Sequence, residues 1–278
     1  MRGWASRPGG APVRASIRTS GRRHLLVGLV AALLPGQGSA TAPLRLGALR
    51  GPQAELLAYA AGLEPMRQLP IRLVVSDNAA VLADDLARGR LDGIASHNSQ
   101  LLDGLNAAHG ISLVAGFATV TLPTGIYSKR LHGVAQLGKG DRIVLPRPTQ
   151  AYNRARVLLY NYGLLYAHED HGLAEDFSNI VNPIGFVLET EELPALAGRL
   201  DDAAVVVLPY EAAVAAGLRP AVDSIGLEDG KSPYAQVLAV RTADRDRPWV
   251  STLARSFQSA EMRRFIYDHF GDSIAPPW

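Results

Sequence analysis

From Leu44 onwards the chain alternates between short apolar runs and longer stretches in which apolar residues recur every three or four positions. "LRLGAL" (44–49), "IRLVVS" (71–76), "DGIAS" (92–96) and "ISLVAGFATV" (111–120) read as short apolar strands. Between them, "AELLAYAAGL", "AAVLADDLARGRL" and "SQLLDGLNAAHG" carry the spacing of amphipathic helices. Strands separated by helices of this length imply right-handed βαβ units and a mostly parallel sheet, which is the α/β class.

The regular series ends near "LPTGIYSKRL", and a second one begins with "DRIVLP" (141–146) and the helix after it. "IGFVLE" (184–189), "ELPALAGRL" (192–200) and "AAVVVLPYEAAVAAGL" (203–218) continue it. "YAQVLAVR" then reads as a strand, and "WVSTLARSFQS" and "AEMRRFIYDHF" as closing helices. Two series of similar make-up predict two lobes, the first from residues 43–124 plus 237–278 and the second from 129–232. Hinge crossings are expected at 125–128 and 233–236. A cleft between such lobes, at the C-terminal ends of strands, is where small ligands bind.

Charge changes the picture at the N-terminus. The formal net charge is +2, but Arg2, Arg7, Arg14, Arg18, Arg22 and Arg23 precede the first acid. Without those six of the 28 bases, 22 stand against 26 acids, a net of −4. The body therefore offers no basic face, and nucleic-acid binding is not expected. The basic start, the ten-residue apolar run "LLVGLVAALL" and the small residues that follow make the pattern of a secretory leader. It is expected over residues 1–42, with cleavage near Ala40. Arg22-Arg23 is compatible with a twin-arginine route. The chain holds no cysteine, so no disulfide, thiolate metal site or lipidated cysteine is expected. The expected protein is periplasmic, without a lipid anchor, and monomeric.

The most decorated turn is "RIVLPRPTQAYNRARVLL", which passes from a strand into a helix carrying Thr149, Gln150, Tyr152, Asn153 and Arg154. A plain connection needs one capping residue, and Thr149 or Gln150 is expected to supply it. The remaining polar groups point to a ligand site.

In order, "LRLGALRGPQAELL", "LARGRLDG", "TGIYSKRL", "RIVLPRPTQAYNRARVLL", "DDAAVVVLPYEAAVAAGL", "SPYAQVLAVR" and "FGDSIAPPW" resemble the NlpA/MetQ family. These are the substrate-binding proteins of methionine-type ABC importers. The resemblance runs through the whole chain after the leader. It implies a two-lobed periplasmic-binding-protein fold of type II, an interlobe ligand cleft and delivery of a small solute to an ABC permease/ATPase complex in the inner membrane. It also implies that Arg154 grips a carboxylate, for which a planar guanidinium near a helix N-terminus is suited.

Elsewhere the chain departs from the family pattern. Ser96-His97-Asn98 stands where members carry an aromatic-Gln-His strand end, and Gln100 and Leu101 replace the proline and tyrosine that follow. Asn78 replaces an aromatic, "VLPY" ending in Tyr210 replaces an asparagine-rich segment, and Gln236 and Ala151 replace asparagines. Loss of an aromatic-walled slot and of amino-group contacts, with the arginine kept, points to an anionic carboxylate or sulfonate rather than methionine. The expected ligand-binding set is Arg154, Asn153, Thr149, His97, Asn98, Asn78, Tyr210 and Gln236. Tyr127 is expected to pack at the hinge.

No cofactor is implied, and an enzyme is not expected. "HEDH" (His168 to His171) reads as a solvated turn rather than a metal site, and no G-x-S-x-G elbow occurs. The rival to solute transport is an exported sensing or adaptor module that uses the same fold to contact a membrane receptor.

Overall fold

The computed structural model of the chain describes residues 42–64, 66–168 and 179–278. The leader lies outside these residues except for Ala42, and so does "HEDH" beyond His168. The first α/β series forms β1 (Leu44–Leu49), α1 (Pro52–Ala61), β2 (Ile71–Ser76), α2 (Ala79–Ala87), β3 (Gly93–Asn98), α3 (Ser99–His109) and β4 (Leu113–Val120). After β5 (Gly125–Tyr127), the second begins with β6 (Arg142–Pro146), α4 (Thr149–Asn161), β7 (Tyr166–Ala167), β8 (Ile180–Val181) and β9 (Val187–Glu191). It continues through α5 (Leu193–Leu196), β10 (Val205–Leu208), α6 (Tyr210–Ala215), α7 (Pro220–Asp223) and β11 (Ser224–Leu227). The chain ends with β12 (Gln236–Arg241), α8 (Pro248–Phe257) and α9 (Ala260–Phe270).

Two five-stranded sheets share one plan. Their orders are β2-β1-β3-β12-β4 and β9-β6-β10-β5-β11. In each, the first three strands are parallel and the fourth runs antiparallel to both neighbours. The fourth strand is exchanged: β5 follows the first series yet joins the second sheet, and β12 follows the second series yet joins the first. The chain therefore passes between sheets through residues 121–124 and 228–235. The second passage takes in 233–235 of the crossing expected at 233–236, whereas residues 125–127 of the other expected crossing form β5 of the second sheet.

Helices on both faces explain the unbroken apolar runs of the central strands. Along β10, Val205 and Val207 join one buried cluster and Val206 and Leu208 the opposite one, as period-two side chains must. On the first sheet, Leu46 and Ala48 pack with Leu56 and Leu57 of α1, Leu253 and Phe257 of α8, and Met262 and Ile266 of α9. Ile94 faces the other way, with Leu82 and Leu86 of α2.

The C-terminal tail braces both passages. Thr121 N donates to Ala275 O at 2.8 Å, and Ala275 N returns a bond to Thr121 O at 3.1 Å. Thr121 Oγ1 donates to Gly230 O at 2.6 Å. Gly230 has no substitute here, because an added Cβ would stand 2.7 Å from that of Ala275. Tyr127 is buried in the second sheet with no hydrogen-bond partner for its hydroxyl among the described residues.

Candidate functional site

β6 ends at Pro146, Arg147 N makes a last bond to Glu191 O at 2.8 Å, and Pro148, which has no N–H to offer the ladder, then turns the chain into α4. Pro148 is the N-cap of α4 and no side chain caps the helix, so the capping expected of Thr149 or Gln150 does not occur. Thr149 is the helix's exposed first residue, and a side chain inside the first turn is badly placed to serve as its own cap.

Arg154 lies further along α4 with its side chain only 13% exposed. A guanidinium removed from water needs a counter-charge, and Glu228 supplies it. Arg154 Nε donates to Glu228 Oε1 and Oε2 at 3.1 and 3.0 Å, and Nη2 donates to Oε2 at 2.5 Å. Nη2 also donates to Leu122 O at 2.8 Å. The guanidinium carbon lies 5.0 Å from the centre of the Tyr234 ring, in cation–π range.

A cavity of about 360 Å³ opens beside this pair. The first sheet's side contributes Ser96, His97, Asn98, Leu101 and Gln236, and the second's contributes Gln150, Ala151, Arg154, Pro209 and Glu211. Its walls combine aliphatic side chains and uncharged polar groups with the charged Arg154 and Glu211, and no phenylalanine, tyrosine or tryptophan lines it. Neighbouring strands make one wall continuous, since Gln236 of β12 stands opposite Asn98 of β3. A larger recess of about 570 Å³ lies elsewhere, lined by Arg45, Asp92, Arg241 and Trp249 away from the passages between sheets.

Four of the expected ligand residues, Arg154, His97, Asn98 and Gln236, therefore meet in the cavity. Asn98 also caps α3 by accepting from Leu101 N at 3.0 Å. Gln236 accepts from Gln53 Nε2 at 2.9 Å. His97 Nδ1 lies 2.7 Å from Ser96 Oγ, and burial pushes its imidazole below the ordinary range, so the ring is neutral at pH 7. The other four are not among the cavity's lining residues. Asn78 is the exposed N-cap of α2, accepting from Ala80 N at 2.9 Å and Val81 N at 3.3 Å. Tyr210 belongs to the buried cluster of Val120, Leu122 and Ile274, where burial first, and then the charges of Glu211 and Glu55, push its phenol pKa up. Thr149 is exposed and Asn153 half-buried.

Sequence reasoning passed over Glu228, Glu211 and Gln53. For Glu228 one signal existed: an arginine destined for a cleft wall needs a buried acid, and "LEDGKSP" puts two acids at the second passage. No group of residues able to hold a metal ion occurs among the described residues.

Two sheets of matching topology, exchanged fourth strands and a cleft beside both passages define a two-lobed periplasmic-binding-protein fold. A sequence profile described as NlpA lipoprotein matches residues 44–278, and the chain belongs to that family. Outer membrane lipoprotein 3 of Mannheimia haemolytica is 29% identical over 237 residues, covering 84% of this chain and 90% of that protein. A protein named probable D-methionine-binding lipoprotein MetQ, from Haemophilus influenzae, is 27% identical over 245 residues, covering 86% and 90%. Among solved structures, a nutrient binding protein from Burkholderia cenocepacia bound to methionine superimposes with a TM-score of 0.68 at 27% identity. That match covers 84% of this chain and 100% of the other. Among the described residues, no helix is long and apolar enough to cross a membrane.

Proposed function

We propose that this protein is the solute-binding component of an ABC importer, capturing a small carboxylate- or sulfonate-bearing molecule between its lobes. The observation that carries the reading is the 360 Å³ cavity with Arg154 on one side and His97, Asn98 and Gln236 on the other. Family membership supports the transport role, since relatives are named for methionine binding and for periplasmic substrate binding. Arg154 Nη1 has no hydrogen-bond partner among the described residues and is the guanidinium nitrogen left for a solute's anionic group. The amides and imidazole across the cleft read the remaining polar atoms. A solute touching both lobes binds the closed form better than the open one, and that difference drives closure. The closed form is then the shape a permease recognises.

Methionine is not the expected solute. Its thioether favours apolar, aromatic-walled slots, and the lining here has no phenylalanine, tyrosine or tryptophan and carries the charged Arg154 and Glu211. The chain also lacks the cysteine that would carry a lipid, so we propose a periplasmic member that is not thiol-anchored, acting as a monomer.

Thermal denaturation against a panel of amino acids, sulfonates and small organic acids tests the reading. A bound solute raises the melting temperature by mass action, about 2.7 kcal/mol at 100 times its Kd. Stabilisation by one solute class is the expected result. One observation favours the rival reading, an adaptor contacting a membrane receptor: the cleft's arginine is already neutralised from within by Glu228. A panel that stabilises nothing would favour that rival.

A further inference from the structure

Arg154 touches three functionally separate parts of the molecule from one helix. Through Nη2 it holds Leu122 O in the first passage between sheets, and through Nε and Nη2 it holds Glu228 at the start of the second. It also lines the cavity. Glu228 is fixed in turn, because Ser232 Oγ donates to its Oε1 at 2.6 Å and Thr124 N to its Oε2 at 2.9 Å. Each passage thus supplies a donor to the carboxylate and an acceptor to the guanidinium.

The edge of a guanidinium formed by Nε and one Nη is well matched to a carboxylate's two oxygens. Here Glu228 fills it, and the second hydrogen of Nη2 goes to Leu122 O. An anion entering from the cavity finds only Nη1 of the guanidinium free, on an arginine already neutralised by Glu228 and in a lining that also carries the acid Glu211, so it must share the arginine with Glu228 or displace it. Displacement breaks the Arg154–Glu228 bonds that hold segment 228–235 against α4.

We propose that Glu228 is an internal competitor for the solute's anionic group. It sets the specificity of the cleft against plain anions and couples occupancy of Arg154 to the hold on the second passage. This rests on the reading of the cleft as a solute site. Only a solute that also bonds to His97, Asn98 or Gln236 across the cleft gains enough to outweigh the competitor. A bare carboxylate or sulfonate does not.

The test uses methanesulfonate as the probe, titrated calorimetrically at constant ionic strength into the wild type, Glu228→Gln and Glu228→Asp. Glu228→Gln keeps the shape and removes the charge, while Glu228→Asp keeps the charge and withdraws it from the guanidinium. Both are expected to bind methanesulfonate more tightly than the wild type, Glu228→Gln by about tenfold, a typical coupling between linked sites. Amide exchange over residues 228–235 should accelerate in both. A merely structural role for Glu228 predicts loss of binding on substitution, never gain. If Glu228→Gln does not fold, Glu228→Asp decides alone. Variants with native circular dichroism that bind methanesulfonate no better than the wild type overturn the proposal. A wild type that binds nothing in the solute panel, beside variants that gain the anion, would sink the transport reading and leave the competitor standing.

Discussion

His97 Nδ1 and Ser96 Oγ lie 2.7 Å apart at the end of β3, where both side chains line the cavity wall. Burial depresses the imidazole's pKa below its ordinary 6.5, so the unfolded chain binds a proton before the folded one does. The stability that this confers is fully present above pH 6.5 and is lost as pH falls through the depressed folded value. Denaturant unfolding at pH 7.5 and at pH 5 should show a decline that is smaller in His97→Gln. An identical decline in both proteins would remove His97 as its source.

Arg154→Ala should destabilise the fold strongly even without solute. It leaves Glu228, with its side chain only 8% exposed, as a buried charge without its partner. Breaking such a pair costs about 3–5 kcal/mol, and neutralising the survivor recovers part of it. Adding Glu228→Gln to Arg154→Ala should therefore raise stability above that of the single variant. Additive losses in urea unfolding would mean that the two residues do not act as a pair.

Asp92 links strands within the first lobe. Its Oδ2 accepts from Arg45 N at 2.8 Å and Nε at 3.1 Å, and its Oδ1 accepts from Arg45 Nη2 at 2.8 Å. Burial raises the carboxyl's pKa, but the Arg45 hydrogen bonds and the charges of Arg45 and Arg241 together hold it below the usual range. A depressed carboxylate stabilises above its unfolded pKa, near 3.9, and loses that contribution as pH falls through the lower folded value. Asp92→Asn should cost about 1–2 kcal/mol at pH 7, reduced from the buried-pair range by partial exposure. The gap to the wild type should shrink towards pH 3, as read by thermal unfolding.

Gly125→Ala should weaken the second lobe. A Cβ there would meet Tyr127 ring atoms at 2.7–2.9 Å, and that ring is too buried to swing aside. Overpacking of this kind costs about 1–3 kcal/mol, a drop of several degrees in melting temperature.

Periodicity reached the elements whose pattern is set by burial. β1 and β2 coincide with the segments "LRLGAL" and "IRLVVS" read from the sequence, and α9 with "AEMRRFIYDHF". It failed where local hydrogen bonding intervenes. The strand read from Ile184 starts at Val187, because Asn182 Oδ1 accepts from Gly185 N and Phe186 N and Gly185 takes a φ of +84°. β11 passed unnoticed, being four residues with a glycine and a register shift. Asn78 shows the same limit in the site. An asparagine just before an apolar helix start is a capping signal as much as a ligand candidate, and the cap won. His97, Asn98, Arg154 and Gln236 were legible as cavity-lining positions, because strand ends and the helix after β6 face the cleft in this topology. Glu228 was not, because no period links it to an arginine 74 residues earlier in the chain.

Ala151 lines the cavity beside Arg154 yet belongs to neither the ion pair nor the buried clusters. Ala151→Trp would fill much of the space a solute needs and leave the fold intact. Calorimetric titration of the wild type and of Ala151→Trp with the solute that stabilises the wild type most is therefore the direct test of a cleft-binding protein. The expected result is one solute per wild-type chain and at least a hundredfold weaker binding in the variant, about 2.7 kcal/mol. Equal affinity in both proteins would contradict a solute site between the lobes.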